Sequence, residues 1–185
     1  MADFSFSQPE PRNFTVPILI AVAVLAIAGG LVYHFMAHGV ADVTVTHVAV
    51  LPNHTVFKSR SIVVGQDETQ DDFYVLATVA VHDDLKIPIF IKDLTGTLET
   101  PEGDQTSSAV EKNDFASLYT TFPALKPLAG PPLLREIAIQ PGESAEGMVL
   151  LHYPITQAQW DSRTSATVTV DLYHQGKFTA TIPKP

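Results

Sequence analysis

The sequence predicts an all-β, two-sheet sandwich of about seven to eight strands with two short helices, preceded by one N-terminal transmembrane helix. Three observations lead there. An uncharged apolar run of spanning length lies near the N-terminus; beyond residue 40 the hydrophobic pattern alternates with a period of two; and Pro, Gly, Asn and Asp clusters punctuate the alternating runs. The chain has 185 residues, a length suited to one folded body plus an appendage. Charged residues make up only 17% and mean hydropathy is +0.15, so apolar residues are concentrated somewhere. The net charge of −9 argues against nucleic acid, whose binders need a basic surface to neutralise phosphates. With no cysteine, a disulfide scaffold, a thiolate metal site and a cysteine nucleophile are all excluded.

The first element is the anchor. Val16 to Met36 reads VPILIAVAVLAIAGGLVYHFM, without Asp, Glu, Lys or Arg, and about 20 such residues cross about 30 Å of hydrocarbon as helix. With its flanks the segment covers residues 14–38. Pro17 sits in the first turn, where a missing N–H costs nothing, and Tyr33 with Phe35 marks an interfacial belt. A cleaved secretory signal is the competing account. It wants a basic leader, a shorter apolar core and a small-x-small cleavage site, whereas here Arg12 is offset by Asp3 and Glu10 and AHGVA follows the run. Arg12 is the one basic residue before the helix, which favours a single pass in the cytoplasmic (inner) membrane, N-terminus in. Residues 1–13, with Pro9 and Pro11, read as a short disordered cytoplasmic head, and 42–185 as an extracytoplasmic sandwich.

The strands follow. Val43, Val45, His47, Ala49 and Leu51 alternate with Thr44, Thr46, Val48 and Val50, which predicts a first strand with those two faces. Further runs lie at Phe57–Val64, Phe73–His82, Ile87–Thr100, Leu133–Gln140, Glu146–Tyr153, Ala166–Tyr173 and Lys177–Ile182. Pro101-Glu102-Gly103-Asp104, Pro141-Gly142 and Gln175-Gly176 supply turns. Pro88 places its strand at an edge or makes it start at the proline. Phe115, Leu118, Tyr119 and Phe122 recur at helical spacing behind Asn113-Asp114 and stop at Pro123; their apolar face is expected to close one end of the sandwich. Thr156 caps a second short helix, Gln157 to Ser162, that turns Trp160 inward. Leu125 to Pro132 reads as an irregular proline-rich connector.

The order anchor, strand, FYVLATVAVHDDLKIPIFI, short helix ending in FP, IQPGESAEGMVLLHYP and a final hairpin resembles the LEA14-like and related immunoglobulin-like domains that bacteria carry outside the membrane. The closest residues are Pro141-Gly142-Glu143-Ser144 with Glu146-Gly147, and Tyr74 to Ile91 with His82-Asp83-Asp84 in its turn. The likeness spans residues 42–183 and departs from the family at the turn, where His82-Asp83 stands in place of Asn-Pro. It implies an immunoglobulin-like fold and carries over no catalytic residues.

No constellation reads as a catalytic site, and no cofactor is implied. His34 and His38, at i and i+4, can present two imidazoles to a metal, but no third ligand is near in sequence and interfacial polar residues are the simpler account. Gly65 to Asp72 is acidic yet lacks the order of a calcium loop and reads as a solvated connection. Gly142-Glu143-Ser144-Ala145-Glu146 misses G-x-S-x-G and precedes a strand rather than a helix. Asp71-Asp72 and Asp83-Asp84 are adjacent pairs whose side chains diverge. Asn13 and Asn53 match the glycosylation sequon, a frequent chance pattern. Ala23, Ala26 and Gly30 form a small-residue stripe, read equally as a helix-packing face or as ordinary membrane composition.

The functional expectation is a non-catalytic, membrane-anchored protein presenting its sandwich to protein partners, as an accessory or assembly subunit of a larger complex. A ligand- or lipid-binding module, in which the two sheets or the helix at residues 113–122 border an apolar pocket, is the alternative. A hydrolase would have to assemble its site from His82, His152 or His174.

Overall fold

A computed structural model describes residues 15–36, 39–57 and 68–184. The chain forms two compact units that part between His38 and Gly39. Helix α1 (Thr15–Met36) belongs to the first. Its uncharged, β-branched and Leu-rich run continues without a polar face, and its described large side chains are exposed along its length.

The second unit is a two-sheet sandwich. Strands β1 (Ala41–Phe57), β2 (Glu68–Asp83) and β6 (Ser144–Tyr153) form one antiparallel sheet in the order β1-β2-β6. The other runs β4-β3-β7-β8 (Gly103–Ser108, Ile89–Thr100, Ser165–Leu172, Gly176–Thr181), with the two-residue β5 (Ala138–Ile139) also on β3. A three-stranded sheet facing a five-stranded one makes a two-layer antiparallel β-sandwich. The core lies between them, where Phe73, Val75, Ala77, Val79 and Val81 meet Ile91, Leu94, Leu98, Val168 and Val170. Gly96 leaves room for Leu151 and Tyr153, whose hydroxyl would lie 2.5 Å from a Cβ at that position.

Several expectations change at the level of packing. The first strand does not keep one parity: a bulge between Val45 and His47 lets Val43, Val45, Val48 and Val50 pack on the inter-sheet core while Ala49 and Leu51 face outward. One extra residue in a strand moves every later side chain to the opposite face. β1 also runs on through Pro52 to Phe57; residues 58–64 of the expected second run lie outside the described residues, as do residues 65–67 of the acidic stretch. Glu68 to Asp72 is not a loop but the start of β2, paired with Asn53 to Phe57. β3 begins directly after Pro88 and is an interior strand. β4, too polar for a hydrophobic pattern to mark, completes the hairpin at Pro101-Glu102. The strand expected over Leu133–Gln140 shrinks to β5, and Pro123–Leu128 is a 3-10 helix rather than irregular chain.

Two helices hold as expected. α3 (Gln157–Asp161) carries a full capping box, Thr156 accepting from the Gln159 N–H while Gln159 accepts from the Thr156 N–H. Trp160 is buried, stacked on Phe73 at 4.8 Å, with the Arg163 guanidinium 3.8 Å above its ring. Burial lowers the Arg163 pKa, against an opposing pull from Asp161. α2 (Phe115–Thr121) starts behind Asp114 and stops before Pro123, but it does not close an end of the sandwich. With the 3-10 helix it covers the outer face of the β1-β2-β6 sheet, where Phe115 and Leu125 join Tyr74, Leu76, Met148 and Leu150 in a second core.

Candidate functional site

The outer face of the three-stranded sheet is apolar at one end and polar at the other, because β2 and β6 present alternate residues there. Tyr74, Leu76, Met148 and Leu150 lie under α2. The apolar side of α2 is therefore spent on packing against the sheet. Next to that core, His152 Nε2 lies 2.7 Å from the buried Asp72 Oδ1, which also accepts from Gln70 Nε2 at 3.2 Å. The Tyr74 ring sits 5.0 Å from both Phe122 and His152. Burial, and then the Asp72 charge, push the Tyr74 phenol up to about 12. Asp71 turns the other way, to His54 at 2.7 Å, so the adjacent carboxylates diverge.

At the polar end, His82 and Ser144 are register partners and their side chains meet, Oγ lying 2.9 Å from Nδ1. Asp84 Oδ1 is 3.6 Å from the other ring nitrogen, beyond hydrogen-bond length, and both side chains are exposed. The neighbouring Asp83 is fully buried; its Oδ1 accepts from the Leu85 N–H at 2.8 Å. The histidines available to a hydrolase do not converge. His82 and His152 stand eight register positions apart on β2, about 27 Å at strand rise, and His174 lies in the β7–β8 turn.

A groove of about 730 Å³ opens between α2, β3 and the end of β4, lined by Lys92, Asp93, Glu111, Asp114, Ser117 and Arg135 among others. Arg135 organises it: Nε donates to Asp93 Oδ1 at 2.9 Å, one terminal nitrogen to Glu111 at 3.0 Å and the other to the Ala109 carbonyl at 3.1 Å. These bonds tie β3 to the chain leaving β4 and hold a polar floor suited to polar chemistry. Sequence reasoning missed this cluster. Its one signal was an arginine inside a run read as a strand.

In α1, Ala23, Ala26 and Gly30 lie on the exposed helix surface, and a Cβ at Gly29 or Gly30 would meet nothing within 4 Å. His34 falls in the last turn of α1 and His38 outside the described residues. Among the described residues no group of three or more His, Asp or Glu is placed to hold a metal ion. α1 is long and apolar enough to cross a membrane, a test that signal sequences near an N-terminus also pass.

No family model and no curated protein matches this chain. Solved structures do. The yjhA protein from Bacillus subtilis superposes with a TM-score of 0.45 at 13% identity, over 79% of this chain and 94% of that one. An uncharacterised β-sandwich protein from Clostridium difficile 630 gives 0.37 at 10% identity, over 77% and 85%. A functionally unknown protein from Listeria monocytogenes EGD-e gives 0.38 at 8% identity, over 77% and 87%. No family match supports the LEA14-like group specifically.

Proposed function

We propose that this chain is a non-catalytic, single-pass protein of the cytoplasmic (inner) membrane that holds its sandwich on the extracytoplasmic side, as an accessory or assembly subunit of a larger complex. One observation carries the reading. α1 is uncharged over its whole length and has no polar side on which to rest against water, and a helix hydrophobic all round belongs in lipid or against other helices. The small-residue positions Ala23, Ala26 and Gly30 supply a face on which a second membrane helix can approach closely. On the sandwich, β1 and β8 are edge strands of the two sheets, the kind of element that accepts an added strand. The free side of β6 is already taken, by the Pro131–Leu133 segment and the Val110 N–H.

The test is extraction from native membranes with mild detergent, followed by intact-mass measurement and identification of what co-purifies. The expected result is an uncleaved N-terminus, a body removed by protease added outside, and a stoichiometric protein partner. A mature chain beginning near residue 40 overturns the anchor, and a bound lipid or metabolite in place of a protein partner supports the ligand-binding alternative.

A further inference from the structure

Among the described side chains outside α1, Phe90 and Tyr173 are the two exposed aromatic ones, at 44% and 39%. Both belong to the outer side of the β4-β3-β7-β8 sheet. Phe90 stands between Ile89 and Ile91, which are buried in the core, and so points away from it. Tyr173 follows the buried Leu172, and its N–H donates to the Phe90 carbonyl at 3.0 Å, which fixes the two as neighbours.

The same face continues as hydroxyls. Strand register sets Ser108, Thr95, Thr169 and Thr179 in one row across the four strands. The next row is Thr106, Thr97, Thr167 and Thr181. Leu94, Leu98, Val168 and Ala180, which alternate with them, are buried, so both rows lie on the outer side. Thr169 and Thr179 hydrogen-bond across their strands at 3.1 Å. At ordinary strand spacing and rise the rows are about 14 Å wide, and Thr97 is about 20 Å from Phe90. Strand propensity alone accounts for the threonines; it does not account for two aromatic rings left in water beside them.

Charge on this face narrows the ligand. Lys92, between the rows and the rings, is paired with Asp171 at 3.3 Å. In the polar groove that opens beside Lys92 and Ser108, Arg135 is taken by Asp93 and Glu111. Lys177 then stands against the exposed Glu99 and Asp104 at the far end, a balance that does not draw an anion. A neutral ligand with hydroxyl edges and apolar C–H faces matches both halves of the surface: its hydroxyls exchange hydrogen bonds with the rows, and a C–H face stacks on an aromatic ring. A straight strip about 20 Å long suits several sugar rings in an extended chain better than a single sugar or a coiled one.

We infer that the outer face of the β4-β3-β7-β8 sheet binds an extended, neutral, β-1,4-linked polysaccharide, its chain lying on the threonine rows and one ring stacking at Phe90 and Tyr173. The inference is independent of the spanning role proposed for α1 and adds a glycan-binding surface to the folded body.

The full chain, in a polyoxyethylene detergent that carries no sugar, is titrated with cellohexaose and with chitohexaose. The expected result is saturable binding of at least one hexamer, unchanged by added salt because no ion pair is involved. Phe90→Ala and Thr167→Lys should each weaken it about tenfold or more. Thr44→Lys, on the outer face of the other sheet, should leave it unchanged. Urea unfolding read by Trp160 fluorescence checks that each variant folds, and Thr181→Lys, at the exposed end of the same row, replaces Thr167→Lys if that variant does not. No saturable binding of either hexamer overturns the inference, as does binding retained in both Phe90→Ala and the row variant. An equal loss in Thr44→Lys puts the site elsewhere and also overturns it. Binding abolished by salt shows that charge holds the ligand and overturns the neutral reading.

Discussion

Gly147 is a position at which the fold is sensitive to a single methyl group, because the atoms it would meet are backbone. It is buried in β6 beside the segment that seals that strand's outer edge. A Cβ there would lie 2.5 Å from the Leu133 nitrogen, 2.7 Å from its Cα and 2.9 Å from the Pro132 carbonyl carbon, all backbone atoms. Ordinary contact needs roughly 3.4 Å or more, so Gly147→Ala must push the segment away by about 1 Å. That displacement breaks or stretches two bonds, Leu133 N–H to the Met148 carbonyl at 2.9 Å and Met148 N–H to the Pro131 carbonyl at 2.7 Å. At about 1 kcal/mol each, with roughly 1–3 kcal/mol of overpacking and about 0.5–1 kcal/mol regained from replacing a strand glycine, the net loss is about 2–4.5 kcal/mol. Urea unfolding followed by Trp160 fluorescence measures it on the full chain in detergent, because the sequence has one tryptophan and α1 has none. Gly130→Ala is the control: its nearest neighbour is Met148 Cβ at 4.0 Å, and its midpoint should move little. Equal midpoints for wild type and Gly147→Ala would refute the reasoning and show that the segment is not held on β6.

Four further outcomes are expected. Tyr153→Phe should raise stability by about 1 kcal/mol, since the hydroxyl is buried without a partner and only its desolvation is removed; a loss in the same urea titration argues for a hidden bond. Tyr74 ionises near its ordinary value when unfolded and at about 12 when folded, so the stability it contributes is complete below pH 10 and is lost as pH rises from there to about 12; Tyr74→Phe should flatten that part of the stability curve, and an unchanged slope counts against the shift. A serine-directed fluorophosphonate should leave Ser144 unmodified, because its histidine lacks a hydrogen-bonded carboxylate and both side chains are open to solvent; rapid labelling read by mass spectrometry would reopen the hydrolase reading. Leu at Ala26 and Gly30 should keep the chain in the membrane but reduce partner recovery more than Leu at Ala28, and equal recovery from both variants would reduce the stripe to tolerated composition.

The element types were legible from local chemistry. An uncharged run of spanning length, period-two alternation, and Pro and Gly at the turns need no distant partner to be read, and the Thr156 cap with Gln159 three residues on is a complete local signal. Which face each strand buries was decided only in three dimensions. The bulges after Val45 in β1 and after Ile91 in β3 change parity because a neighbouring strand pairs one residue against two, and no pattern within either strand marks them. α2 announced an apolar face but not its destination, because the outer side of the β1-β2-β6 sheet exists only once those strands have paired. The polar groove was illegible for the same reason: Arg135 finds Asp93 and Glu111 across 42 and 24 residues of chain, and hydrogen bonds between residues so separated are products of topology rather than of spacing.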